Sequence, residues 1–205
     1  MTVSRVLIVS GVLAVMEFVA IPAGAAFPGS IFSEVVSGLW LVSLVAVALA
    51  IHRLIGARAG SISLLALIIG LASMTVELAF ILAIITGRAA PLDNTQPSII
   101  AYAVMGLWLV IVSRLLVAIE VLPAKIAWIG GATGLSYIAS WILVQLGGFP
   151  TSADPSSLAS LSPATIAGSV LSMLSAPAYA VWAIWAGRRL GREGATAGVV
   201  AGAHA

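Results

Sequence analysis

The chain has no cysteine, a single lysine at Lys125, two histidines, and charged side chains at only 8% of its 205 positions. The missing thiols exclude a disulfide scaffold and a thiolate metal site. His52 near a helix end and His204 in the tail cannot supply a bis-histidine haem or a three-histidine zinc site within one chain, so no metal and no cofactor is expected. Lys125 falls in a connection rather than mid-helix, which removes a retinal-type Schiff base. No P-loop, GxSxG or HExxH occurs, so ATP-driven transport by this chain alone is excluded. The scarcity of charge excludes an ordinary soluble domain, whose charged fraction is about 25%. Hydrophobic residues make up 61% of the chain and the mean hydropathy is +1.19, which also excludes intrinsic disorder. The sequence pI of about 9.5 does not point to nucleic acid, because the net charge is only +2 and the basic residues are scattered between apolar blocks. The composition is that of a membrane protein.

Crossing the hydrocarbon core takes about 20 apolar residues in a helix. Six runs of that kind are bounded by charges, prolines or polar clusters: Val6 to Phe27, Val35 to Ile51, Ile62 to Thr86, Ser98 to Leu122, Ile126 to Phe149 and Ala164 to Gly187. The fold class this predicts is all-α, an integral membrane bundle of six transmembrane helices. A single domain over residues 1–192 is expected, followed by a disordered Gly/Ala-rich tail over 193–205. Arg5, the apolar stretch and Ala23-Gly24-Ala25-Ala26 imitate a secretory signal. Glu17 inside that stretch, and its length, argue for a retained helix.

Orientation follows from Lys and Arg in the short connections, since cytoplasmic loops hold the excess. With the N-terminus inside, Arg5, Arg53, Arg58, Lys125, Arg188, Arg189 and Arg192 fall on the cytoplasmic side and Arg88 alone on the other. Both termini are therefore expected in the cytoplasm, in a multi-pass protein of the cell membrane. Glu34, Asp93 and Asp154 fall outside, and the Ser/Pro-rich segment from Pro150 to Pro163 is expected to form an outer cap or link.

Charges at membrane depth cost from about 2.5 kcal/mol upward, so each must face protein, water or a partner. Glu17 and Glu77 both fall near mid-membrane by helical rise, and each sits on a stripe of small residues three and four apart. On the first helix the stripe is Ser10, Ala14, Glu17, Ala20 and Gly24; on the third it is Ala66, Gly70, Ser73 and Glu77. Such faces let helices approach closely, so both carboxyls are expected to point into the bundle. Arg114, closer to the inner edge, is expected to reach toward Glu17. Pro22 and Pro177 each free a carbonyl within a helix. Ser172, Ser175 and Tyr179 on the sixth run, with Thr133, Ser136, Tyr137 and Ser140 on the fifth, either glue helices together or line a polar cavity. The ridge Ala164, Gly168, Ser172, Ala176 and the pair Gly130 and Gly134 imply close packing, within the chain or in a homo-oligomer or membrane complex. Trp128 and Trp185 fit interfacial anchors, and Trp108 and Trp141 lie deeper.

Glu17 in the first helix, the basic end of the second at Leu49 to Arg53, Leu122-Pro123, then Ala127-Trp128-Ile129-Gly130-Gly131 and the Trp-rich end of the last helix share their order and spacing with a known group. In these features the chain resembles the domain-of-unknown-function 4386 group of bacterial six-helix membrane proteins, over about Val6 to Arg189. The resemblance implies a six-helix membrane bundle and carries no established activity.

Three functions compete. The first is a small transporter or membrane binding protein, in which Glu17, Glu77 and Arg114, with Tyr137 and Tyr179, form a site for protons or a small or lipophilic ligand. The second is a membrane-embedded acid/base enzyme acting on a lipid or isoprenoid, whose catalytic residues the sequence leaves unassigned beyond the two acids. The third is a non-catalytic subunit whose small-residue faces dock a partner. Membrane lipids are expected partners in each case, and nucleic acid in none.

Overall fold

Gly60 decides the path of the longest helix. In the computed structural model, which describes residues 2–26, 31–90, 95–148 and 161–202, five helices follow one another. They are α1 (Val3–Ala26), α2 (Phe32–Ile85), α3 (Thr95–Ala118), α4 (Ala124–Gly147) and α5 (Pro163–Gly202). No strand occurs among the described residues. The 54 residues of α2, if straight, would reach about 81 Å, against about 30 Å for a hydrocarbon core. Gly60 breaks the run with φ 53° and ψ −132°, a conformation open in practice only to glycine. The two arms then fold against each other: Ile81 and Leu78 pack beside Gly38, and Nδ1 of His52 lies 2.8 Å from the Ser63 hydroxyl. The sequence reading ends a helix at the His52-Arg53 pair, yet the helix continues to Gly60. Leu, Ala and Arg between them favour the helix, and a basic pair at an interface does not stop it.

The boundaries of α1, α3 and α4 lie close to their sequence signals. Helix α3 closes where Glu120 takes a positive φ of 59° and the N–H groups of Val121 and Leu122 both donate to the Leu116 carbonyl. Pro123 then starts α4, and Gly148, at φ 86°, ends it. Helix α5 runs to Gly202, beyond Arg192, where the sequence reading places a disordered tail. That stretch holds no proline to interrupt a helix and carries three alanines beside three glycines. Asp93, Asp154, His204 and most of the loop from Pro150 to Pro163 lie outside the described residues.

Each helix packs on its neighbours in the chain, and α5 closes the circuit on α1. All five are long and apolar enough to cross a membrane. The outward faces are apolar too, with Val12, Val19, Leu39, Leu65, Ile68, Leu135, Ile142, Val170 and Leu174 exposed. Helices apolar all round, inside and out, fit lipid rather than water. Contacts between facing elements bring the basic residues other than Arg88 toward one end. Ser4 packs against Gly187 and Gly191, and Arg58 donates to the Ile119 carbonyl at 3.4 Å.

Small residues hold the helices close. A methyl group on Gly168 would come within 2.8 Å of the Ser140 carbonyl oxygen, and that serine donates to the Gly168 carbonyl at 2.8 Å. Gly134 presses its backbone against Gly106 of α3, and Gly130 lies against Ser113 and Trp182. The GxxxG pair and the α5 ridge at Gly168 are thus engaged within the chain. Thr133, Ser136 and Ser175 donate to carbonyls one turn back in their own helices, as packing hydroxyls do.

Candidate functional site

Both small-residue stripes turn inward. Ser10, Ala14, Glu17 and Ala20 are buried on α1, as are Ala66, Ser73 and Glu77 on the returning arm of α2. The two acids end up close enough to act on each other electrostatically. Their partners come from the first turns of α3: the Tyr102 hydroxyl donates to Glu17 Oε1 at 3.5 Å, and the Ser98 hydroxyl donates to Glu77 Oε1. Counting back from Ile85, Glu77 stands about 12 Å from the end of its helix, and Glu17 stands about 14 Å from Ala26. With α1 about 36 Å long and the second arm of α2 about 38 Å, both acids lie within about 7 Å of mid-length, displaced toward the end away from the basic residues.

Glu17 lies on an open cleft of about 310 Å³ lined also by Trp40, Tyr102, Tyr137, Ser172 and Ala176. Every helix of the circuit contributes a wall. Rings stack across it: Tyr102 and Tyr137 lie 5.5 Å apart at 13°, and Trp40 and Tyr102 lie 6.2 Å apart at 23°. Trp40 also meets Tyr179 edge-on at 5.8 Å. The Tyr179 hydroxyl is 2.9 Å from the Ser10 hydroxyl, which accepts from Ser43 at 3.0 Å. All three tyrosines of the chain thus belong to one cluster. Glu17 Oε2 is buried with no hydrogen bond, although Ser37 stands beside the carboxyl. No lysine, arginine or histidine lines the cleft among the described residues.

Of the residues singled out from sequence, Glu17, Tyr137 and Tyr179 meet here, with Glu77 behind them. Arg114 does not. It is exposed, and its guanidinium lies 5.4 Å from the centre of the Trp128 ring, on the far side of α3. The reason is the helical period: Tyr102 and Arg114 are separated by about 18 Å of rise and about 120° of azimuth, more than the side chain can span. Trp40, Ser98 and Tyr102 also belong to the site, although no sequence motif singles them out. Tyr102 shares the i, i+4, i+7 face of Ser98, Met105 and Leu109, and that spacing was the available signal. Trp108 is core, 1% exposed and packed against Gly70.

No family model matches the chain, and neither the curated proteins nor the solved structures contain a match. The site itself is what bears on function.

Proposed function

We propose that the chain is a six-pass protein of the cell membrane, with both termini cytoplasmic, that acts as a small transporter or binding protein for an organic amine. The two arms of α2 count as separate crossings in this reading, which accords with the resemblance to the bacterial six-helix group. The orientation rests on the basic end and the positive-inside rule. The observation that carries the ligand is Glu17: a carboxyl without a basic partner among the described residues, on a cleft walled by aromatic rings. A cation over such rings gains about 0.5–2 kcal/mol from the ring quadrupoles, more as water is excluded, and the carboxylate supplies the counter-charge. A cleft of about 310 Å³ is at the small end of ligand sites, suited to one amine on a compact apolar body.

Glu77 is held by Ser98 and does not line the cleft, so the two acids do not present a facing pair to one substrate. That favours binding over acid/base catalysis. The test is calorimetric titration of detergent-solubilised protein with a hydrophobic tertiary amine and with its uncharged carbon analogue. The amine is expected to bind at least tenfold more tightly; equal affinities would remove the cation from the proposal.

A further inference from the structure

A second concavity, independent of the acidic cleft, opens on the outer face between α3 and α4. It holds about 470 Å³ and is lined by apolar side chains including Val110, Val117 and Leu135, with Ser113, Arg114 and Trp128. Trp128 is 63% exposed. Arg114 stands one turn before Ala118, about 6 Å from the end of α3, and that end belongs to the basic half of the bundle. The guanidinium does not simply trail out toward water: it lies against the Trp128 ring on the wall of the groove. The Ser113 hydroxyl on the neighbouring position turns away from the groove, toward Gly130 and Trp182 in the core. An arginine held on an exposed indole beside an apolar trough suits an anion that carries a hydrocarbon chain.

We propose that this groove binds an anionic glycerophospholipid. The phosphate sits on Arg114, and one acyl chain lies along Val110, Val117 and Leu135. Charge complementarity selects the occupant: in the orientation proposed above, on which this step rests, the groove offers a cation to the cytoplasmic leaflet, where anionic headgroups gather. Arginine suits the phosphate because its planar fork donates two parallel hydrogen bonds. Lys125, exposed next to Ala124 at the start of α4, adds positive charge at the same end.

The test uses the full chain in detergent, titrated with brominated phosphatidylglycerol or brominated phosphatidylcholine while Trp128 fluorescence is followed against a Trp128→Phe control. Wild type is expected to favour phosphatidylglycerol about fivefold, the scale of one basic residue at a charged surface. Arg114→Gln is expected to bring the ratio to about one, and Arg114→Lys to preserve part of it. Gly131 lines the groove and has nothing within 4 Å of where a side chain would begin. Gly131→Leu is therefore expected to fill the trough without disturbing the fold, and to weaken quenching by both lipids. Inorganic phosphate at millimolar concentration is expected not to compete; full competition would make the site one for free phosphate and overturn the lipid assignment. Equal quenching by the two lipids in wild type, or an unchanged ratio in Arg114→Gln with Gly131→Leu also silent, would overturn it as well.

Discussion

The hydroxyls of Ser10 and Tyr179 meet at 2.9 Å, joining the first and last helices across a sequence separation of 169 residues. The contact closes the circuit of helices, and Tyr179 in turn meets the ring of Trp40, a wall of the acidic cleft. Removing that hydroxyl in Tyr179→Phe keeps the ring and its packing. Interhelical hydrogen bonds in membranes average about 0.6 kcal/mol and reach about 1.7 kcal/mol. Tyr179→Phe is expected to lower stability by that amount, read as a lower midpoint of thermal unfolding in detergent. An unchanged midpoint would mean that the ring alone holds the contact.

Two glycine substitutions separate close packing from open groove. Gly168→Leu drives a side chain into the Ser140 carbonyl and Val144, each 2.8 Å from its first carbon. It is expected to destabilise by about 1–3 kcal/mol. Gly131→Leu meets nothing within 4 Å and relieves a helix of a glycine, so it is expected to be neutral or to stabilise by about 0.5–1 kcal/mol. Equal effects at the two positions would contradict the packing described.

Gly60 is expected to resist replacement for conformational reasons. An alanine forced into φ 53° and ψ −132° carries strain of about 1–3 kcal/mol. Gly60→Ala should lower the thermal midpoint, whereas Gly56→Ala, one turn earlier within the same arm, should not. A tolerant Gly60 would mean that the arms do not depend on this turn.

The orientation is open to labelling because the chain has no native cysteine. Ala57→Cys, near the turn between the arms of α2, is expected to resist an impermeant thiol reagent applied from outside. Ala90→Cys, beyond α2, is expected to react. The reverse pattern would invert the topology.

Much of this architecture is legible in the sequence. Pro123 separates α3 from α4 as read, and the i, i+3, i+4 stripes of small residues place Glu17 and Glu77 on inward faces, whereas the basic pairs at His52-Arg53 and Arg188-Arg189 do not end their helices. Legibility fails where azimuth matters between helices. Arg114 looks close to Glu17 by depth, but depth says nothing of which way a residue points around its helix. The period of α3 turns Arg114 toward Trp128 and gives the acids Ser98 and Tyr102 instead. Trp40 escapes for a related reason. Its place beside Tyr102 and Tyr179 depends on how three helices are rotated about their axes, which no single stretch of sequence encodes.

The central claim is that the Glu17 carboxylate holds the ligand's positive charge, and the most direct measurement is the affinity of a hydrophobic tertiary amine for wild type and for Glu17→Gln. The amide keeps the shape of the acid and can still accept from Tyr102, so folding should be preserved and only the charge is lost. Affinity for the amine is expected to fall at least tenfold, about 1.4 kcal/mol, while affinity for the uncharged carbon analogue stays the same. If Glu17→Gln binds the amine as tightly as wild type, the carboxylate is not the counter-charge and the account of the cleft is wrong.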